Sequence, residues 1–283
     1  MRIALIADVH SNLPALEAVL REIRTHRPER IVSLGDQVNL GPLPRETLAL
    51  LRAEGVTCLH GNHERYILSV MDGDPAYRGA NFASLRYNAE LLAREDITFP
   101  QTLQIGPATL CHAFPGDDRF PMFDVAAALP KLRAMRFDAP THILCGHGHN
   151  PTHIRMGNLT LESIGSVGCM DRGAPGTTSY TIAQIEDDCV YLRPYTVAYD
   201  ASVHPELFLR SGMADFCPVM AHIVCLQMMH NTDYLMQFVG MARALSTERG
   251  EAVISEATWQ DADARFPWPD GVGTGEFWKN AKR

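Results

Sequence analysis

The first third of the chain alternates short apolar runs with amphipathic stretches. Three apolar runs, which predict buried strands, occupy residues 3–7, 30–34 and 56–59. Two amphipathic stretches, which predict helices, follow the first two runs at residues 13–23 and 45–53. Ser11 or Asn12 is placed to cap the first helix, and Gly55 to end the second. Strands that alternate with helices in this way predict an α/β fold.

The pattern changes after a further helical stretch near residues 82–94. Seven short segments then predict strands, at residues 103–105, 108–112, 141–145, 153–156, 159–163, 180–185 and 190–195. A predicted helix near residues 124–135 interrupts the series. Helix-linked strands followed by hairpins predict two packed sheets with helices outside them.

The composition changes again at about residue 201. Residues 216–245 are rich in Met, Leu and Val at helical spacing, whereas the closing stretch around Trp259, Trp268 and Trp278 predicts an irregular tail. We therefore divide the chain into a domain of residues 1–200 and a helical C-terminal extension of residues 201–283. The apolar extension favours core packing or an interface between two copies of the chain. A lid over a site is the alternative.

Composition and charge exclude several classes of protein. The chain has 283 residues, 46% of them hydrophobic, and a net charge of −8, as in an ordinary globular protein. The acidic balance argues against long nucleic acid as a partner, because Lys and Arg bind phosphate backbones. Seven cysteines without a C-x-x-C pair predict reduced thiols. No leader peptide and no run near the ~18 apolar residues of a membrane span is visible, so we expect a cytoplasmic protein without membrane contact.

Side chains that bind metal ions follow the apolar runs. Five motifs share this position: Asp8-Val9-His10, Gly35-Asp36, Gly61-Asn62-His63-Glu64, Cys111-His112 and Gly146-His147-Gly148-His149. In α/β folds the ligands bind just beyond the carboxyl ends of the strands. Carboxylate, imidazole and amide groups together can hold two divalent ions about 3.5–4 Å apart, which activate a water molecule and clamp a phosphoryl group.

The spacing of these motifs suggests how the groups converge. Residues i and i+2 of a strand face the same way, so we expect Asp8 and His10 to point into one cavity. Asp36 can then give one carboxylate oxygen to each of two metals. Glycine leaves room for the backbone to approach the metals at four positions, 35, 61, 146 and 148.

Two further residues are candidates for substrate chemistry. His63 is not needed as a ligand, so it can donate a proton to the leaving oxygen, work that suits an imidazole pKa of about 6.5. Support of the neighbouring ligand Asn62 is the alternative role. Arg172 lies in a glycine-rich loop and can clamp a phosphate oxygen with its fork of donors. A plain surface arginine is equally compatible with that position.

In this order, the motifs resemble those of the calcineurin-like metallophosphoesterase superfamily. Three shorter matches, Gly41-Pro42, Gly165-Ser166-Val167-Gly168 and Ser179-Tyr180, resemble its compact prokaryotic phosphodiesterase branch. The resemblance implies a four-layer αββα sandwich over about residues 1–195. It implies one metal bound by Asp8, His10, Asp36 and His149, and another bound by Asp36, Asn62, His112 and His147. Mn or Fe is the expected metal, and Zn, Ni and Co also suit mixed nitrogen and oxygen ligands.

Two positions depart from the family pattern. The serine/threonine phosphatases of the superfamily carry an Asp and an Arg where this chain has Asn39 and Leu40. That Asp orients the histidine acid and that Arg grips phosphate, so a protein-phosphatase role is disfavoured. Gly148 stands where the family usually has Thr, which removes a hydrogen bond near the site.

These observations predict a dinuclear metal hydrolase of phosphodiesters or phosphomonoesters. A metal-bridging hydroxide would be the nucleophile, Asp36 the bridging carboxylate, His63 the general acid, and Asn62 and Arg172 the groups nearest the substrate. The expected partners are a small phosphoester and, through the extension, a second copy of the chain. A serine/threonine phosphoprotein phosphatase and a non-catalytic metal-binding scaffold acting through the extension are the alternatives.

Overall fold

The computed structural model describes residues 1–122, 124–269 and 271–283. Within these residues there are ten strands: β1 (Arg2–Ile6), β2 (Arg30–Ser33), β3 (Thr57–Cys58), β4 (Thr102–Ile105), β5 (Ala108–Cys111), β6 (Thr141–Cys145), β7 (Thr152–Met156), β8 (Leu159–Ser163), β9 (Thr177–Ile185) and β10 (Val190–Ala198). They form two five-stranded sheets, ordered β10-β9-β1-β2-β3 and β4-β5-β6-β8-β7. Both sheets mix parallel and antiparallel pairs. In the first, β1 is parallel to β2 and antiparallel to β9. In the second, β6 is parallel to β5 and β8, whereas β4 and β7 are antiparallel to their neighbours β5 and β8.

The same residues contain eleven α-helices: α1 (Leu13–His26), α2 (Pro44–Ala53), α3 (Asn62–Met71), α4 (Ala83–Leu92), α5 (Val125–Arg133), α6 (His204–Arg210), α7 (Met213–Phe216), α8 (Pro218–His230), α9 (Tyr234–Glu248), α10 (Glu256–Arg265) and α11 (Thr274–Ala281). Asn12 caps α1 as predicted, because its Oδ1 accepts the N–H of Ala15 at 3.2 Å. Helix α3 follows the third strand directly and was not predicted from the sequence.

The side chains of β1 alternate between two apolar clusters, as expected for a strand buried on both faces. Ile3 and Leu5 lie between the sheets, in a cluster that includes Val32, Leu110 and Leu144. Ala4 and Ile6 lie on the other face, in a cluster with residues of α1 that include Leu16, Val19 and Ile23. The two sheets therefore pack face to face with helices outside, which confirms the predicted four-layer αββα sandwich.

The extension is helical to its end, so the prediction of an irregular tail was wrong. Helices α10 and α11 occupy this stretch, and its three tryptophans are buried in one apolar cluster with Phe238. Burial of large aromatic rings outweighs the local preference of Pro and Gly for loops. The predicted helix over 216–245 is two helices, because Asn231 adopts a left-handed conformation (φ 50°) that ends α8.

The extension packs against the first 200 residues rather than standing apart from them. Its apolar cluster includes Leu40 and Tyr87 from that part of the chain. The hydroxyl of Tyr87 donates a hydrogen bond to the Ser211 carbonyl at 2.9 Å. Similarly, the hydroxyl of Tyr199 donates to the Met228 carbonyl at 2.9 Å. Among the described residues, no helix is long and apolar enough to cross a membrane.

Candidate metal centre

The predicted ligands lie in loops just past the strand ends, in an uncommon backbone conformation. Five of them have a positive φ between 49° and 60°: Asp8, His10, Asp36, His147 and His149. Residues other than glycine rarely adopt this left-handed region, and each such residue costs on the order of 1–3 kcal/mol. The prediction that Asp8 and His10 converge by strand alternation was therefore wrong in its basis. Strand β1 ends at Ile6, and the left-handed loop after it aims both side chains.

Hydrogen bonds between neighbouring loops hold this conformation. The backbone N–H groups of Asp8 and His10 donate to the carbonyls of Gly35 and Asp36, both at 3.0 Å. The carbonyl of Asp8 accepts from the N–H of Gly168 and from the hydroxyl of Ser166, both at 2.9 Å. The loops after β1, β2 and β8 are thereby joined into one rigid support for the site.

Glu64 fastens a second pair of loops and is a residue that the sequence analysis missed. Its fully buried carboxylate accepts four backbone N–H groups, from Asp36, Gln37, Val38 and Gly61, at 2.8 to 3.3 Å. These bonds tie the loop that carries Asp36 to the start of α3, which carries Asn62 and His63. Burial and the nearby charge of Asp36 raise the pKa of Glu64 above its usual value, and the N–H groups of Gly61 and Asp36 oppose this by stabilising the carboxylate. The only signal of Glu64 in the sequence was its place at the end of the Gly61-Asn62-His63-Glu64 motif.

One group of candidate ligands gathers around His10. The Nε2 atom of His10 lies 3.1 Å from Nε2 of His149 and 4.0 Å from Oδ2 of Asp36. Oδ1 of Asp8 lies 3.8 Å from the same nitrogen of His149. The ligand atoms of Asp8, His10 and His149 all lie within 4.8 Å of one another, and both Asp8 and His10 are fully buried.

A second group gathers around His112. Its Nε2 atom lies 2.9 Å from Oδ1 of Asn62, 3.2 Å from Nδ1 of His147 and 3.3 Å from Oδ2 of Asp36. The Nδ1–H of His112 donates to the Leu34 carbonyl at 2.9 Å, so Nε2 is the atom left for a ligand bond. Because Oδ2 of Asp36 also faces the first group, this carboxylate lies between the two.

His63 lies beside both groups and is held by a different partner. The side-chain amide of Asn39 forms a hydrogen bond with Nδ1 of His63, and the two atoms are 2.6 Å apart. The other ring nitrogen, Nε2, faces the site and lies 3.8 Å from Oδ2 of Asp36. His63 also falls into a ligand group with His10 and Asp36, so its position suits either metal binding or proton donation. Its side chain is 19% exposed, whereas that of His10 is fully buried.

Burial and mutual charge divide the imidazoles into two kinds. Burial lowers the pKa of His10 well below its usual value and that of His147 to about 3. Burial also opposes a charge on His112 and His149, but the carboxylates of Asp36 and Asp171 outweigh it and raise their pKa values to about 10 and about 9. Burial alone would raise the pKa of Asp36, yet the facing imidazoles, led by His112, hold it well below the usual range.

The donors have the chemistry of a binding site for divalent cations. Imidazole nitrogens, carboxylate oxygens and an amide oxygen converge in a buried space, a mixture suited to transition metals. The backbone gives way to them at two glycines: a Cβ on Gly146 would lie 2.7 Å from Oδ2 of Asp8, and one on Gly61 would collide with the Asp36 carboxylate. The structure therefore brings together all seven predicted ligands.

A cavity of about 410 Å³ lies beside these groups, and four of the twelve described residues that line it belong to the extension. Asp36, His63, His147 and His149 line one side. The described residues that complete the lining are Leu40, Asn150, Asp171, Arg172, Gln227, Asp233, Leu235 and Met236. Arg172, from the glycine-rich loop, is therefore among the lining residues. Leu40 was also singled out, at the position of the phosphate-binding arginine of related phosphatases, whereas the other six were missed. A lid over a site was one of the roles considered for the Met-rich stretch, but its sequence did not identify which residues would face the cavity.

Comparison with known proteins agrees with this geometry. A model of the family described as calcineurin-like phosphoesterase matches residues 1–192. The structure is similar to that of a metallophosphoesterase from Sphaerobacter thermophilus, with a TM-score of 0.55, 25% identity, and coverage of 80% of this chain and 99% of that one. A hypothetical protein from Pyrococcus horikoshii OT3 shares the fold, with a TM-score of 0.58, 18% identity, and coverage of 81% and 98%.

A curated relative gives a narrower match. An uncharacterised protein from Methanocaldococcus jannaschii is 33% identical over 103 residues, which span 36% of this chain and 42% of that protein. The family match covers well over half of the chain. The chain therefore belongs to the calcineurin-like phosphoesterases, and the matched region contains all seven predicted ligands.

Replacement of Glu64 should destabilise the fold. In Glu64→Gln an amide NH₂ faces N–H groups that now bind a carboxylate oxygen, so we expect a loss of about 1–3 kcal/mol in the free energy of unfolding. Urea denaturation measures this loss. Glu90→Gln, on the exposed face of α4, is the matched control and should change stability by less than about 0.5 kcal/mol. Equal stability of Glu64→Gln and wild type would contradict the support assigned to Glu64.

Metal binding should release protons. At pH 7 the raised pKa values leave His112 and His149 protonated, and both must lose a proton to bind a metal. We expect about two protons to be released as the site fills with Mn²⁺, and the affinity to rise from pH 6 to pH 8. Calorimetric titration in buffers of different ionisation enthalpy measures the number. An affinity that does not change with pH would be inconsistent with protonated ligands.

Proposed function

We propose that this chain hydrolyses phosphodiesters with two divalent cations bound by the seven predicted ligands. The observation that carries the proposal is the position of Asp36, whose Oδ2 atom faces His10 on one side and His112 on the other. Asp8, His10, Asp36 and His149 would hold one cation, and Asp36, Asn62, His112 and His147 the other. Mn or Fe suits these ligands, as do Zn, Ni and Co.

The cations and the protein have separate tasks in this reaction. Two such cations would supply a water molecule of lowered pKa as nucleophile and would offset the charge of the phosphoryl oxygens. In its imidazolium form His63 donates the Nε2 proton to the leaving oxygen and becomes a neutral imidazole, while the hydrogen bond of Asn39 to Nδ1 fixes the ring so that Nε2 faces the cavity. Arg172, at the edge of the same cavity, binds a phosphoryl oxygen.

The lining of the cavity favours a diester over a monoester. Leu40, Leu235 and Met236 offer apolar surface for the second substituent of a diester. Asp171 and Asp233 lie in the same wall, and their charge disfavours the additional negative charge of a monoester or polyphosphate. A singly charged phosphodiester with a partly apolar group is therefore the substrate class that we assign.

The alternatives explain less of the site. In a phosphoprotein phosphatase an acidic partner would orient His63 and an arginine would bind phosphate, but Asn39 and Leu40 occupy those places. A non-catalytic scaffold would have no need for a complete ligand set, a held imidazole and an adjoining cavity. We also expect the substrate to be small, because residues of the extension line one part of the cavity and limit the space beside the metal ligands.

Removal and return of metal should control activity. We expect chelation to abolish hydrolysis of bis(p-nitrophenyl) phosphate and Mn²⁺ to restore it. With Mn²⁺, kcat/KM for this diester should exceed that for p-nitrophenyl phosphate by about tenfold or more, because the monoester brings a second charge to the acidic wall. A panel that adds cyclic nucleotides, dinucleoside polyphosphates and phosphopeptides ranks the substrates. No turnover of any ester by the Mn²⁺-loaded protein would overturn the proposal.

Replacement of His63 should depend on the leaving group. His63→Ala removes the proton donor, so esters with poor alkyl leaving groups should slow by about 10²–10⁴-fold, while activated aryl esters slow far less. His153→Ala is the matched control, because His153 is exposed and pairs with Glu162 on the surface. Equal losses on both kinds of ester would show that His63 binds metal or substrate instead of acting as the acid.

A further inference from the structure

The ring of His149 is held from outside the predicted ligand set. Its Nδ1 atom lies 3.2 Å from Oδ1 of Asp171, a carboxylate in the loop that precedes β9. A hydrogen bond from Nδ1–H to this carboxylate leaves Nε2 as the atom that faces His10 and Asp8. A carboxylate in this position fixes the orientation of an imidazole ligand and increases its basicity.

Asp171 is in turn held by the extension. Gln227, on the last turn of α8, donates its Nε2–H to the same Oδ1 atom at 3.1 Å. Its Oε1 accepts the backbone N–H of Leu235, in the first turn of α9, at 3.0 Å. The side chain is 1% exposed, and both ends of its amide are used. Gln227 therefore joins the α8–α9 turn to the loop that carries Asp171.

Further contacts fix the same loop to the same turn. Asn231, which ends α8, donates its Nδ2 amide to the carbonyls of Ala174 and Thr177 at 2.7 and 2.8 Å. The backbone of Arg172 also pairs with that of Thr232. Asp171 thus has little freedom to move independently of the α8–α9 turn.

We propose that Asp171 and Gln227 are positioning residues for His149, so that the extension is a working part of one metal site and not of the other. The inference rests on the metal centre of the proposed function. The asymmetry follows from the partners of the two rings. His149 depends on a side chain fixed by the extension, whereas His112 is held by the Leu34 carbonyl within the sandwich.

The test uses the full chain and Mn²⁺ alone, without substrate. Calorimetric titration of the wild-type protein should show two bound ions. In Asp171→Ala one of the two should bind about 10–100-fold more weakly, and the other as in wild type. Asp171→Asn keeps an acceptor oxygen and should lie between Asp171→Ala and wild type.

Gln227→Glu separates positioning of Asp171 from support of the helix turn. The new carboxylate can still accept the N–H of Leu235, but it faces Asp171 with an oxygen in place of a donor. We expect about a tenfold loss at the same single site. Gln260→Glu is the matched control, because Gln260 donates to the Glu256 carboxylate at 2.8 Å on the exposed face of α10. It creates the same pair of carboxylates far from the metals and should leave both affinities unchanged.

A His147→Ala background assigns the affected site. This change removes a ligand of the His112 group, so the remaining ion reports on the His149 group. Adding Asp171→Ala to it should weaken that remaining ion by the same 10–100-fold factor. Circular dichroism and the melting temperature of the chelated proteins establish that each variant is folded.

The outcomes separate the inference from the proposal beneath it. Two ions bound as tightly in Asp171→Ala and Gln227→Glu as in wild type would overturn the inference alone. So would an equal loss at both sites, which indicates general loosening of the fold. A wild-type chain that binds no Mn²⁺ would instead overturn the metal centre, and the inference with it.

Discussion

The site depends on one buried carboxylate that binds no substrate and need bind no metal. Glu64 accepts four backbone N–H groups and so holds the Asp36 loop against the start of α3. A buried carboxylate is costly unless its lone pairs are used. Here the cost is offset by donors that would otherwise lack partners. The loop after β2 can therefore leave its strand in a left-handed turn and still present Asp36 at a fixed place.

The same principle extends across the centre. The ligand loops adopt strained backbone conformations with positive φ. Hydrogen bonds between neighbouring loops stabilise these conformations, among them those that Asp8 and His10 donate to the loop after β2. Farther out, Asp171 and Gln227 pass a constraint from the extension to His149. The cavity is lined both by Asp36 and by residues at the α8–α9 turn, so its wall includes parts that these hydrogen bonds hold in place.

The sandwich and the ligand set were predictable because both are local signals. Apolar runs predicted all ten strands of the described residues, and each ligand follows soon after such a run, as Asp36 follows β2. Features that arise from distant contacts were not predictable. Gln227 matters because of Asp171, 56 residues away, and the Trp-rich tail is helical because Trp259, Trp268 and Trp278 find an apolar cluster. The left-handed turn at Asp8 could not be told from a continuing strand.

The seven predicted metal ligands come from both sheets, and this has a consequence for the stability of the protein. Asp8, His10, Asp36 and Asn62 come from the side of the first sheet, whereas His112, His147 and His149 come from the second. Cations bound between these residues would cross-link the two sheets of the sandwich. Each ion at a hundred times its dissociation constant would add about 2.7 kcal/mol to the free energy of unfolding. Loss of the cations in a metal-starved cell would then lower the abundance of the chain through proteolysis, in addition to removing its activity.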